Sequence, residues 1–230
     1  MNTQLPLGLG LRDDATFDNY CVGDNEHALM SIRHLLQGTG ESFIYLWGER
    51  GVGRSHLLQA CCHTLETVNR HAVYLPLAES SQLSPEMLEG MEDLDFICLD
   101  DVSSVLGQRR WEEAMFHLYN RIQVTGAKLI IAADVVPSQL ACIMPDLRSR
   151  LSQGLVMQIH PLDDEQKLAV LQLRAKHRGL ELGDDVARYL LRHYPRNMAS
   201  LFDVLIKLDK ASLVLQRKLT IPFVKSVLDQ

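Results

Sequence analysis

Short apolar runs alternate with stretches of helical periodicity as far as about residue 160, and beyond that point only the helical pattern continues. The apolar runs Phe43–Trp47, Ala72–Leu77, Phe96–Leu99, Lys128–Ala133 and Leu155–Ile159 have the length of strands. Most are apolar at every position rather than at alternate ones, the pattern of strands buried on both faces. Between them, helical spacing predicts helices over Asn25–Gln37, Ser55–Val68 and Trp111–Val124, a helix capped by Ser84-Pro85, and a short one over Ser138–Cys142. After His160-Pro161 the expected helices are Asp163–Arg178, Asp184–Tyr194 and Asn197–Gln216, with no further strand. The pattern predicts an α/β fold, a parallel sheet flanked by helices, followed by a small all-α domain. The expected organisation is a short arm over 1–16, an α/β domain over 17–160 and a helical domain over 161–230. In the arm, Leu5, Leu7, Leu9 and Leu11 alternate with Gln4, Pro6, Gly8 and Gly10, an extended rather than a helical texture.

Composition narrows the function. A formal net charge of −6 over 230 residues argues against a protein that coats nucleic acid by bulk electrostatics. The five cysteines form no C-x-x-C, and Cys61-Cys62 and Cys98 fall within apolar stretches, as expected of core thiols in a reducing cytoplasm. His56 and His63 stand two helical turns apart with no carboxylate in register, which argues against a histidine metal site. The N-terminus has neither the basic nor the long apolar region of a secretory leader, and no run approaches membrane-spanning length.

Four patterns carry candidate chemistry. The first is Gly48-Glu-Arg-Gly51-Val-Gly53-Arg54-Ser55, directly after the Phe43–Trp47 run. Its spacing is that of the phosphate-binding loop G-x-x-x-x-G-K-[ST], in which backbone N–H groups curl around an anion and a helix start adds its positive end. Arg54 replaces the lysine, keeping the charge but in a bulky planar fork. Alone, the loop could be a strand-to-helix turn that needs glycine for sterics. The second pattern is Asp100-Asp101 at the end of Phe96–Leu99. Ligands of a parallel sheet sit at the carboxyl ends of its strands, so Asp100 is expected to hold Mg²⁺ with Ser55, and Asp101 to orient a water. The third is Asp134, closing Leu129–Ala133, which reaches the same region if the two strands are neighbours and is otherwise a plain strand cap. The fourth is Pro145-Asp-Leu-Arg148-Ser-Arg150-Leu151. Two positions apart on a helix, Arg148 and Arg150 face different ways, so one can bind locally while the other projects.

Taken in order, these elements resemble the AAA+ ATPases of the DnaA/Hda group. The resemblance covers essentially the whole chain and extends to Phe17-Asp-Asn-Tyr20, Leu118-Tyr-Asn-Arg121, Ser149-Arg150-Leu151 and Arg217-Lys-Leu-Thr-Ile-Pro-Phe223. It implies a nucleotide site built from Tyr20, Val22, Gly48, Arg50, Gly51, Val52, Gly53, Arg54, Ser55, His56 and Asp134, taking ADP, another nucleoside diphosphate or ATP, with Mg²⁺. It further implies that Gln4, Leu5, Leu7 and Leu9 dock on the sliding clamp, the β subunit of DNA polymerase III, and that Arg150 acts as an arginine finger in trans. The function so implied is negative regulation of replication initiation in the cytoplasm, through stimulated hydrolysis of ATP bound to the initiator DnaA. DNA is then met only through the loaded clamp, and the protein self-associates. The chain ends at Gln230, directly after the helical domain, and only the arm precedes the α/β domain. A short regulatory member of the group is therefore expected, rather than an initiator with its helix-turn-helix domain. Ala199 falls where the group carries a sensor arginine, with Arg196 three residues earlier, and together with Arg54 this points to weak intrinsic hydrolysis. Two alternatives stay open: a conventional AAA+ ATPase such as a helicase loader, and a pure clamp-binding adaptor.

Overall fold

The computed structural model describes residue 11 and residues 15–228. Contacts divide the described residues into two compact units, one running to Glu49 and resuming over 53–160, the other comprising 161–228 together with Arg50–Val52.

The first unit is built on five parallel strands: β1 (Phe43–Trp47), β2 (Ala72–Pro76), β3 (Phe96–Asp100), β4 (Lys128–Ala133) and β5 (Leu155–Gln158). Their order is β2-β3-β4-β1-β5. Register pairs Tyr45 with Ile131, Cys98 with Ile130 and Leu46 with Met157. Parallel neighbours require crossovers: the helices α2 (Arg54–Glu66), α3 (Arg109–Thr125) and α4 (Pro145–Leu151) lie between strands in sequence, while α1 (Glu26–Gln37) precedes β1. The interior strands β1, β3 and β4 are buried almost throughout, whereas β5, at an edge, is partly or fully exposed along its length. The continuous apolar runs of the sequence thus mark the centre of the sheet.

On one side the core joins Tyr45, Leu75, Ile97 and Leu99 of the sheet to Met115 and Leu118 of α3. On α2, Leu57, Leu58, Cys61, Cys62 and Leu65 are buried, and all five cysteines are free thiols. Asn25 precedes α1 and closes the unit on itself: its Oδ1 accepts from the His160 N–H at 2.7 Å and its Nδ2 donates to the His160 carbonyl at 3.0 Å.

The second unit consists of α5 (Asp164–His177), α6 (Asp184–His193), α7 (Met198–Leu215) and α8 (Ile221–Leu228) around Leu168, Leu171, Leu190, Leu205 and Phe223. Asp163 and Gln166 form a reciprocal capping box at the start of α5, and the Asn197 side chain caps α7 by accepting from the Ser200 N–H at 2.8 Å. No helix among the described residues is long and apolar enough to cross a membrane.

Several elements differ from the sequence reading. In place of a helix over Ser138–Cys142 there is a single 3-10 turn, Pro137–Gln139, and the helix stands further on, at Pro145–Leu151. Pro145 supplies the preset φ of a first helical residue, and the N–H groups of Ile143 and Met144 are taken by a side chain. After Ser84 the chain makes one turn, Pro85–Leu88, and then passes through Gly90 at φ 80°, a conformation costly for a residue with a Cβ. The last helix, α8, lies beyond the helices read from periodicity; its eight residues are too few to reveal a face.

Candidate functional site

The glycine loop leaves β1 at Gly48, whose N–H donates to the Ala133 carbonyl at 3.3 Å, and re-enters regular structure at Arg54, the first residue of α2. Gly51 and Gly53 have φ of 85° and 104°, the left-handed region that L side chains rarely adopt. Gly53 is constrained twice, since a Cβ there would lie 3.0 Å from Cε2 of Tyr20. The Tyr20 ring also packs at 5.5 Å from that of His56, and the His56 ring in turn contacts the Thr16 carbonyl through Nε2 at 2.8 Å. Val22 accepts from the Asn25 N–H at 2.9 Å. Arg50 is exposed and Val52 half-buried.

Arg54 is turned inward. Only 5% of its side chain is exposed; Nη2 donates to Asp101 Oδ1 at 3.0 Å, while Nη1 is buried with no hydrogen-bond partner among the described residues. A buried guanidinium donor without an acceptor is costly, and it fits an anion held by the loop. Asp101 has a left-handed backbone (φ 51°), which turns the chain sharply at the end of β3.

Asp100 is buried. Its Oδ2 accepts from the Tyr74 hydroxyl at 2.7 Å and its Oδ1 from the Asp101 N–H at 3.0 Å. Burial raises the Asp100 pKa, opposed by hydrogen bonds from Ser55 and Tyr74. A hydroxyl and a carboxylate side by side at the start of a helix are hard oxygen donors suited to Mg²⁺, so Ser55 and Asp100 fit the ion. No group of three or more His, Cys, Asp or Glu residues among those described is placed to hold a metal. Asp134 follows β4, the neighbour of β3; it is exposed and accepts a hydrogen bond from Ser103.

Arg148 and Arg150 have different surroundings. Arg148 Nη2 donates to the Cys142 carbonyl at 2.6 Å, pinning the segment that leads into α4. Arg150 is half-exposed, its guanidinium 5.9 Å from the Tyr119 ring and its Nη1 3.4 Å from Gln153 Oε1. In the second unit Ala199 is exposed on the first turn of α7, and Arg196 pairs with Asp164 at 3.5 Å. The clamp-docking residues Gln4, Leu5, Leu7 and Leu9 lie outside the described residues.

Three polar contacts were not anticipated. Tyr74 holds Asp100, and no local pattern in β2 announces it. The Tyr45 hydroxyl donates to the Val135 carbonyl at 2.9 Å, fixing the chain just after Asp134. Glu112 is fully buried, and its oxygens accept from the N–H groups of Gly107, Ile143 and Met144. These hydrogen bonds outweigh burial, the largest opposing influence, and hold its pKa below the usual carboxylate range. A sequence signal did exist for Glu112: it stands three residues before Met115 and seven before Tyr119, on the apolar stripe of α3.

A parallel five-stranded sheet with a glycine loop after β1 and two carboxylates at the end of β3, followed in sequence by a helical unit, defines an AAA+ protein. Domain III of DnaA from Thermotoga maritima superposes with a TM-score of 0.82 at 22% identity, covering 96% of this chain and 98% of that one. AMPPCP-bound DnaA from Aquifex aeolicus gives 0.73 at 26% identity, over 88% of this chain and 67% of that one. The Thermotoga maritima branch-migration motor RuvB shares the fold at 0.62 and 12% identity, over 89% of this chain and 67% of that one. The family model of the bacterial DnaA ATPase domain matches residues 11–158, and that of the Hda lid domain matches residues 164–228. The chain belongs to the DnaA ATPase family and carries a lid of the Hda type.

Proposed function

We propose that this protein is a negative regulator of chromosomal replication initiation, a clamp-tethered AAA+ protein that stimulates hydrolysis of DnaA-bound ATP. Arg150 is its arginine finger in trans, neutralising charge that develops on the γ-phosphate, an effect worth about 10³–10⁵ in rate. The observation that carries this reading is the unequal use of the two arginines: Arg148 is committed to a backbone carbonyl at 2.6 Å, while Arg150 makes a 3.4 Å contact to Gln153 and approaches the Tyr119 ring at 5.9 Å. The combination of a DnaA-type ATPase domain with an Hda-type lid supports it.

The protein's own site holds ADP, another nucleoside diphosphate or ATP, with Mg²⁺ between Ser55 and Asp100. The Aquifex aeolicus relative in its AMPPCP-bound form supports nucleotide binding, as does the unpartnered buried Nη1 of Arg54. Intrinsic turnover is weak, because Arg54 occupies the lysine position and Asp101, the water-orienting candidate, is engaged by it. Gln4, Leu5, Leu7 and Leu9 bring the protein to the DNA-loaded β clamp, and it assembles with DnaA and with further copies of itself.

The test measures hydrolysis of ATP pre-bound to DnaA, with and without this protein and DNA-loaded clamp. Wild type should accelerate it, Arg150→Ala should return it to near background, and Gln4→Ala with Leu5→Ala should abolish clamp binding. An isolated chain that turns over ATP within the ordinary enzyme range of ~1–10³ s⁻¹ argues instead for a conventional ATPase. A protein that binds clamp but neither nucleotide nor DnaA is an adaptor.

A further inference from the structure

The residues Cys142–Met144 that lead into α4, the helix that carries the two arginines, are not themselves helical. Their conformation is set from α3. Glu112 Oε1 accepts from the N–H groups of Gly107 at 2.8 Å and Ile143 at 2.9 Å. Its Oε2 accepts from the Met144 N–H at 2.7 Å and from the Cys142 thiol at 3.3 Å. Three of these four donors belong to consecutive residues, Cys142 to Met144, immediately before Pro145. A buried carboxylate is costly unless its oxygens are satisfied, and here the acceptor sites are filled by groups that also need an acceptor. Arg148 holds the same segment from the other side through the Cys142 carbonyl.

Two turns further along α3, Tyr119 faces the other end of α4. Its ring lies 5.9 Å from the Arg150 guanidinium, and its hydroxyl donates to Gln153 Oε1 at 3.4 Å, the atom that Arg150 Nη1 also reaches at 3.4 Å. One helix therefore holds the entry to α4 and also borders the guanidinium at its far end.

We infer that Glu112 is a positioning residue for Arg150: it sets where the guanidinium is presented, while making no contact with the partner's nucleotide. The inference rests on the reading of Arg150 as a finger in trans. Such a group stabilises the transition state only from a narrowly defined position, so displacing α4 costs rate even when the arginine remains. Glutamine has nearly the shape of glutamate, but its amide is a donor on one side. It would face the N–H of Met144 and the thiol of Cys142, or those of Gly107 and Ile143, donor against donor.

The experiment uses the full chain, DnaA loaded with ATP and DNA-loaded clamp, with Glu112→Gln, Arg150→Ala and the double variant. Glu112→Gln should keep its far-UV spectrum, clamp binding and ADP binding. Its maximal stimulated rate should fall by about tenfold, with the half-saturating concentration unchanged. The double variant should be no slower than Arg150→Ala alone, because the two changes remove the same interaction. The inference is overturned if Glu112→Gln stimulates like wild type, if its loss appears in the half-saturating concentration, or if the two losses multiply. Should Glu112→Gln fail to fold, Cys142→Ala removes one donor only and should lower the maximal rate in the same non-additive way; an unchanged rate overturns the inference. If Arg150→Ala itself leaves stimulation intact, the functional reading falls and takes this inference with it. If Arg150→Ala abolishes stimulation and Glu112→Gln does not, only the inference falls.

Discussion

The Arg54 guanidinium donates from Nη2 to Asp101 Oδ1 at 3.0 Å, joining the residue after the last loop glycine to the second carboxylate at the end of β3. The pair is unevenly buried, with 5% of the Arg54 side chain and 35% of the Asp101 side chain exposed. The arginine therefore depends on the aspartate more than the reverse. Asp101→Ala strands a buried charge, and we expect it to lower unfolding stability by about 1–3 kcal/mol, read from the urea midpoint at constant m-value. Arg54→Met combined with Asp101→Ala should recover part of that loss, since an apolar replacement leaves no buried charge behind. A double variant less stable than Asp101→Ala alone would contradict this account.

The arginines of α4 should separate by stability as well as by function. Arg148→Ala removes the 2.6 Å bond to the Cys142 carbonyl and is expected to cost about 1–2 kcal/mol. Arg150→Ala breaks only the long contact to Gln153 and the edge of a cation–π contact, and should stay within about 0.5 kcal/mol of wild type. Thermal unfolding monitored by circular dichroism distinguishes them. Equal losses would mean that Arg150 too is a structural residue.

Glu112 predicts an acid limb. Its pKa is lower in the folded protein than in the unfolded chain, so between the two values the unfolded state binds more protons. Its contribution is complete above the unfolded carboxylate value of about 4.3 and is lost as pH falls through the folded pKa. Stability from this residue therefore rises with pH across that window. Glu112→Gln should flatten the slope of unfolding free energy against pH there, measured by urea titration at closely spaced pH values.

Gly154, between α4 and β5, is irreplaceable for a steric reason alone. A Cβ on it would lie 2.4 Å from Cδ1 of Phe43, whose ring packs edge-on against Tyr119 at 5.5 Å. Phe43 is buried in β1 and cannot yield freely. Gly154→Ala should cost about 1–3 kcal/mol, while Phe43→Leu in the same chain should relieve part of that cost, a coupling measurable in a double-mutant cycle.

The sequence by itself determined the material of the sheet and the chemistry of its edge. Continuous apolar runs can be satisfied only by strands covered on both faces, and the structure has β1, β3 and β4 in that position. Glycines at 51 and 53 specify a left-handed loop because other residues are strained there. The i, i+2 spacing of Arg148 and Arg150 was enough to say that they face apart. What spacing could not say is which of them faces in. That choice depends on the Cys142 carbonyl, which Arg148 reaches in a segment whose next two N–H groups are held by Glu112, about thirty positions upstream. Periodicity places a short helix over Ser138–Cys142, whereas the helix begins at Pro145, its start set by that proline and by those tertiary bonds. Likewise, Asp134 meets Ser103, two residues past Asp101, only because β4 lies next to β3, an order no local pattern encodes. Apolar periodicity is a local property of the chain, whereas the partner of a buried charge is chosen among all the groups that the folded chain brings within reach.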